Sequence, residues 1–309
     1  MNKVNYVTFG VIFDDIITPD GFSHMKVLGG GGPQTAFGMR MWSYEVGLIA
    51  GVSKNDQAFI EEWLSAYNID TRGIRTSALP TPRAWQLLEA DGRRTQVWRV
   101  SQDAIQNHLQ RSLSYLPEDY RAAKGVHFGI HPDEPDLAFI AELHDLGAIV
   151  SIEPFKPADV LPKKAELREL MSKVDIFSTN QLEARSLVGV VDPREQALHL
   201  AEAGAGVVVI RLGSQGSLIL DGEAGTWTRV PAVPVLVVDP VGAGNAYCGA
   251  FLVGWCQMKD PKTAGIYGAV AASFLVEQVG VPALDPQVEE KVQSRMDQIS
   301  TLVEISSRA

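Results

Sequence analysis

Val237-Val238-Asp239-Pro240-Val241-Gly242-Ala243-Gly244-Asn245 runs into a stretch of small and apolar residues that carries no charge as far as Met258. A Gly-Ala-Gly turn that opens a helix leaves backbone N–H groups without intrahelical acceptors, gathered at the positive end of the helix dipole. Glycines let a ligand approach that backbone closely, so the segment has the build of an anion site. The same residues also describe an ordinary tight turn before a helix packed through small side chains. The uncharged run Val241–Met258 contains glycines, Asn245 and Gln257, and suits a buried helix better than a membrane span.

Outward from this segment, the chain alternates. Short apolar runs at Val4–Phe9, Gly125–Gly129, Ala148–Ile152, Val174–Phe177 and Val207–Ile210 read as buried strands. Helical patterns lie between them at Pro33–Trp42, Asp56–Tyr67, Glu134–Leu146, Gln181–Val188 and Pro193–Ala203. This order predicts an α/β fold, a doubly wound and mainly parallel sheet with helices on both faces. Gly242–Met258, Pro261–Gln278 and Pro286–Ile305 read as helices. One segment breaks the pattern: Arg83–Val100 alternates with period two around Asp91-Gly92, a two-residue hairpin signal that sets Trp85 opposite Trp98 and Glu89 opposite Arg94. With extended segments near 11–28 and 71–77, it predicts a small β lid from about 11–28 and 71–100 on a single domain spanning 1–309. Such a lid would cross the carboxyl edge of the main sheet, where ligands of α/β folds bind.

Four further motifs fall at the same edge. Gly29-Gly30-Gly31-Gly32 precedes Pro33-Gln34 and a helix, which suits a polar ligand or a flexible connector. Asp14 and Asp15 follow the first strand, where a carboxylate can take two sugar hydroxyls; a solvated turn explains them as well. Asn180 and Glu183 share a helix face and could hold the water shell of Mg²⁺, or form an ordinary N-cap. Arg211-Leu212-Gly213-Ser214-Gln215-Gly216 joins two strands, as a phosphate-facing turn or a plain hairpin.

Composition narrows the function classes. The chain has 309 residues, 46% of them hydrophobic, which is enough for a large core. Its formal net charge of −10 argues against nucleic-acid and membrane-surface partners. The amino terminus has no signal-peptide pattern. Cys248 and Cys256 lie eight residues apart on one helical pattern, roughly 12 Å, too far for a disulfide. A soluble protein of a reducing compartment, the cytoplasm, is expected.

In order and spacing, these segments resemble the ribokinase-like, or pfkB, carbohydrate kinase family from about Val4 to Leu284. The glycine cluster is similar to the family's first signature, and Val46–Asp56 and Thr81-Pro82-Arg83 resemble stretches that follow it. Asn180-x-x-Glu183 resembles the Mg²⁺/phosphate motif, and Asp239-x-x-Gly242-Ala243-Gly244 the second signature. The resemblance implies ATP-dependent phosphorylation of a hydroxyl on a small sugar, polyol or nucleoside-like substrate. Asp15, Gly30, Gly31 and Gln34 would hold that substrate. Asn180, Arg211, Gly213 and Gly216 would hold ATP, and Glu183 would serve Mg²⁺. Gly242, Ala243 and Gly244 would form the anion hole, and a homodimer through the lid is compatible with this layout.

Three positions depart from the family pattern. Gln34 stands where Asn is usual, Glu153 where Asp is usual, and Asn245 where the family places its general base. An amide takes up no proton at neutral pH. The alternative is therefore a weakened or inactive protein of the same fold that binds nucleotide or sugar in a regulatory role. An NAD-dependent oxidoreductase is disfavoured because no Gly-x-Gly-x-x-Gly follows the first strand.

Overall fold

The computed structural model describes residues 3–89, 94–284 and 286–307. From the amino end, β1 (Tyr6–Phe9), β2 (Ile12–Ile17) and β3 (Ser23–Gly29) precede α1 (Gly32–Arg40). Next come β4 (Val46–Ser53), α2 (Gln57–Ala66), β5 (Ile74–Ser77), β6 (Arg83–Leu88), β7 (Arg94–Trp98) and α3 (Gln102–Leu109). The middle alternates β8 (Gly125–Ile130), α4 (Leu137–Asp145), β9 (Ile149–Pro154), α5 (Lys164–Met171), β10 (Ile176–Asn180) and α6 (Gln181–Val188). After α7 (Pro193–Glu202), β11 (Val207–Arg211), β12 (Ser217–Asp221) and β13 (Thr226–Val230) come α8 (Ala243–Met258), α9 (Pro261–Leu275), α10 (Pro286–Ser300) and β14 (Glu304–Ser307).

Ten strands form one sheet in the order β14-β13-β12-β11-β10-β9-β8-β1-β4-β5. Neighbours from β5 to β11 run parallel, and β12, β13 and β14 add antiparallel pairs at one edge. Both faces are covered, so the strands are apolar on both sides. Val207 and Val209 join a core with α1, α8 and α9, whereas Val208 and Ile210 join one with α4, α5, α6 and α7. The period-two alternation of side chains divides each strand between the two layers.

A second sheet of four strands, ordered β3-β2-β6-β7, grows from the carboxyl end of β1 through Gly10 and returns through Gly29 into α1. It stands where the lid is expected, with two differences. Residues 74–77 belong to the main sheet, because β5 pairs parallel with β4, Ala50 against Ile74. The hairpin register is one residue shorter than expected: Trp85 lies opposite Val97, Ala84 opposite Trp98 and Leu88 opposite Arg94. Trp85 and Trp98 therefore stand on opposite faces; the Asp91-Gly92 turn lies outside the described residues. At the carboxyl end, the helix expected to reach Ile305 stops at Ser300, and Thr228 pairs with Ile305 in β14.

The uncharged segment of α8 is buried through close helix contact. A Cβ on Gly249 would lie 2.1 Å from the Thr35 carbonyl oxygen, and one on Gly38 would lie 2.1 Å from the Ala246 carbonyl oxygen. The backbones of α1 and α8 thus touch, which glycine alone permits. No described helix is long and apolar enough to cross a membrane. Gly249→Ala should cost about 1–3 kcal/mol, read as a lower Tm. Gly129→Ala, whose added Cβ meets nothing nearer than 3.7 Å, should stay within about 0.5 kcal/mol of wild type. Equal effects in thermal denaturation would contradict the contact.

Candidate functional site

Two helices begin side by side at the carboxyl edge of the main sheet. α8 opens after Gly242 (φ 83°) without a side-chain cap, and α1 opens after Gly31 (φ 88°). Left-handed backbone at both caps favours glycine. The second reason for glycine is close approach. A Cβ on Gly242 would fall 2.5 Å from Gln34 Cδ, and one on Gly244 would fall 2.5 Å from Arg211 Nη1. Among the first-turn groups of α8, the Gly244 and Asn245 N–H have no intrahelical acceptor. Gly242, Ala243 and Gly244, the expected anion site, thus open α8 with Gln34 on one side and Arg211 on the other.

Gln34 is the joint between the two helices. Its Oε1 accepts hydrogen bonds from the Gly31 N–H at 3.1 Å and from Asn245 Nδ2 at 2.9 Å. Asn245 Oδ1 is left beside Gly31, 3.6 Å from where a Cβ would stand. Gly30 (φ 89°) packs against Ile12, so its role in the loop is close packing as well as conformation.

The carboxylate that completes this cluster is Asp14. It is buried, its Oδ1 accepts from Gln86 Nε2 at 2.8 Å, and its Oδ2 lies 2.1 Å from the position of a Cβ on Gly29. Asp15, assigned to substrate by resemblance, points to the opposite face of β2. There it is fully buried and held by Arg83 (Nε at 2.7 Å, Nη2 at 2.8 Å), by Arg99 and by the Lys26 N–H at 2.8 Å. Burial raises its pKa, but the Arg83, Lys26 and Arg99 hydrogen bonds outweigh that and bring it down to about 2. Asp15 ties β2 to β6 and to the chain beyond β7. Neither aspartate sits in a turn, because β2 begins at Ile12.

Across the first turn of α8 lies a buried charge cluster. Arg211, at the carboxyl end of β11, is paired with Glu153, lies 3.5 Å from Glu183 Oε2 and donates to Cys248 Sγ at 3.2 Å. Burial raises the Glu153 pKa, but Arg211 and His127 outweigh it and hold the group at about 2. Burial dominates at Glu183, which is raised above the usual carboxylate range. His127, Glu153 and Cys248 place ligand atoms within 4.8 Å of one another. Arg211 already occupies the cationic position between Glu153 and Cys248, and burial pushes the Cys248 thiol upward, so this trio is not built for a metal.

Asn180 and Glu183 form a reciprocal capping box at the start of α6. Asn180 Oδ1 accepts from the Glu183 N–H, and Glu183 Oε2 accepts from the Asn180 N–H, both at 2.9 Å. Thr179 and Arg211 also meet Oε2. Glu183 Oε1 has no hydrogen-bond partner among the described residues. Between β11 and β12, Gly213 (φ 59°) opens a 3₁₀ turn and has nothing within 4 Å of a built Cβ, so a ligand can approach. Gly216 is different: its Cβ would meet the Val230 carbonyl oxygen at 2.0 Å, which makes it a turn residue.

The Asp15 lock has a pH signature. A carboxylate whose folded pKa is depressed stabilises the fold above its unfolded pKa, near 4, and loses that contribution as pH falls through about 2. Asp15→Asn should therefore lower Tm at pH 7, with the gap to wild type closing between about pH 4 and pH 2. A gap independent of pH would contradict the lock.

The Arabidopsis thaliana ribokinase solved with ribose and ATP is similar in fold, with a TM-score of 0.73 at 19% identity, covering 96% of this chain and 99% of that one. A nucleoside kinase of Methanocaldococcus jannaschii gives 0.69 at 20% identity, covering 96% and 100%. In sequence, a cytidine kinase of Thermococcus kodakarensis is 29% identical over 275 residues, 87% of this chain and 95% of its own. A ribokinase of Staphylococcus aureus is 26% identical over 279 residues, 86% of this chain and 87% of its own. The profile of the pfkB family carbohydrate kinases matches residues 14–287, and the chain belongs to that family.

Proposed function

We propose that this protein transfers the terminal phosphoryl group of ATP to a hydroxyl of a small sugar or nucleoside at the junction of α1 and α8. The observation that carries this reading is the convergence on Gln34. That side chain joins two glycine-opened helix starts, with the Asp14 carboxylate beside it and Arg211 across the turn of α8. The family relationship and the kinase relatives support it.

Phosphoryl transfer passes through a loose transition state, so positioning and charge stabilisation are the main demands on the protein. Asp14 accepts acceptor hydroxyls, and Gln34 holds the neighbouring Asn245 in place. The Gly244 and Asn245 N–H groups, with Arg211 packed beneath Gly244, stabilise charge on the transferring group. The Gly213 turn and Asn180 line the remaining phosphates. Glu183 Oε1 would serve the water shell of a Mg²⁺ ion, which would supply neutralisation of phosphate charge.

Asn245 shapes the rate. Its Oδ1 orients the hydroxyl but takes no proton, which leaves Asp239 or water as the acceptor. Asp239 is buried beside the Val241 N–H, and burial raises its pKa. The same Asn245 supports a second reading, a nucleotide- or sugar-binding protein with little turnover.

Two variants test these roles. Asp14→Ala should abolish acceptor binding in calorimetry and leave ATP affinity within a few-fold; the reverse pattern would contradict the assignment. Asn245→Asp should raise kcat 10-fold or more with little change in KM, because a positioned base is usually worth ~10²–10⁴-fold. In that variant a carboxylate oxygen meets Gln34 Oε1, so the amide turns over and gives up the Gly31 N–H. A variant no faster than wild type, with both ligands bound, would show that another group takes the proton.

A further inference from the structure

A buried polar stripe crosses the main sheet beneath α8. His127 on β8 lies abreast of Ser151 on β9, Ser151 abreast of Ile176 on β10, and Ile176 abreast of Val207 on β11. Abreast residues and residues two apart share a face. His127, Ser151, Glu153, Ser178 and Arg211 therefore lie on the side where Val207 and Val209 join the core with α8. His127 and Ser151 are 1% exposed and Glu153 is 5% exposed. Well-packed apolar residues are often at least as stable in such a place, so the stripe is to be explained by what stands at its end. That end is Arg211, under the first turn of α8.

Hydrogen bonds string the stripe together. His127 Nδ1 meets Ser151 Oγ at 2.9 Å, and His127 Nε2 meets Glu153 Oε1 at 3.3 Å. Glu153, held at about 2, is ionised and has no proton to give. His127 Nε2 therefore carries the hydrogen and donates it. Glu153 Oε2 takes Arg211 Nη1, which also donates to Cys248 Sγ at 3.2 Å, while Nη2 stays 3.5 Å from Glu183 Oε2. A carboxylate and a guanidinium favour two parallel hydrogen bonds. With Oε1 engaged by His127, Glu153 offers Arg211 a single oxygen and does not draw both Nη groups to itself. The guanidinium stays spread between Glu153 and Glu183, with Nη1 2.5 Å from where a Cβ on Gly244 would stand.

We infer that His127 is a positioning residue for phosphoryl transfer: by holding Glu153 Oε1 it fixes Arg211 beneath the first turn of α8. The inference rests on the transfer reading above and adds a residue to it. His127 acts through Glu153 and Arg211 rather than on the phosphoryl group itself. Fixed charge counts most where charge develops during transfer, so loss of His127 falls on the transferring group and spares the bound nucleotide.

The test is calorimetric titration of the full chain with Mg-ADP, with and without aluminium fluoride, in the presence of ribose and cytidine. Aluminium fluoride stands in for the phosphoryl group in flight, and wild type should bind Mg-ADP at least 10-fold more tightly with it. His127→Phe, which fills the space without a donor, should weaken the aluminium fluoride complex at least 10-fold and change Mg-ADP less than twofold. His127→Gln, which keeps an N–H, should recover most of that loss. Glu153→Gln, which keeps the shape but gives up the charge that holds Arg211, should show the same selective loss, and it carries the test if His127→Phe does not fold. In an Arg211→Met background, His127→Phe should cost nothing further, because the two act as one unit. Equal weakening of both complexes in these variants, or no recovery in His127→Gln, would overturn the inference and leave the transfer reading standing. No gain from aluminium fluoride in wild type would overturn both together.

Discussion

Everything at the candidate site depends on how closely α1 and α8 approach. Gly38 and Gly249 let the two backbones touch, and this contact sets their starts side by side. Gln34 can then reach Asn245 and lie against Gly242, and one buried amide connects the glycine loop of the small sheet to the first turn of α8. A larger side chain at either glycine would move one helix start away from the other. Interiors are close-packed, so such a movement cannot be absorbed locally. The small-residue composition of α8 therefore serves position as much as burial.

The site divides its charge into two compartments. On the small sheet, Asp15 is spent on Arg83 and Arg99, which ties strands from distant parts of the chain, while Asp14 on the opposite face of β2 accepts from Gln86. Behind α8, Arg211 is shared between Glu153 and Glu183, and its guanidinium lies under Gly244. A cation held between two carboxylates is rigid before any phosphate arrives, which suits a reaction that depends on preorganised charge.

Elements with local punctuation were legible in the sequence. α6 spans Gln181–Val188 as expected, because Asn180 and Glu183 form a capping box and Gly189 (φ 75°) stops the helix. Strand–helix alternation carried the doubly wound sheet, and Gly242 marked the start of α8. What escaped depended on long-range register. The different surroundings of Asp14 and Asp15 follow from the pairing of β2 with β6, which lets Arg83 reach Asp15, and from a bulge at which Lys26 takes φ 57°. Neither is visible in a pair of adjacent aspartates. The Asp91-Gly92 signal suggested a two-residue turn, whereas the strands pair one residue shorter. β14 escaped because Glu304–Ser307 is short, exposed and stabilised only by β13.

The central claim is that a phosphate ester forms at the junction of α1 and α8. The most direct measurement is mass spectrometry of sugars and nucleosides after incubation with the purified protein and Mg-ATP. The account predicts a phosphate monoester on at least one hydroxylated acceptor, formed in step with ADP. A folded protein that binds both ATP and an acceptor yet yields no ester on any compound would contradict it.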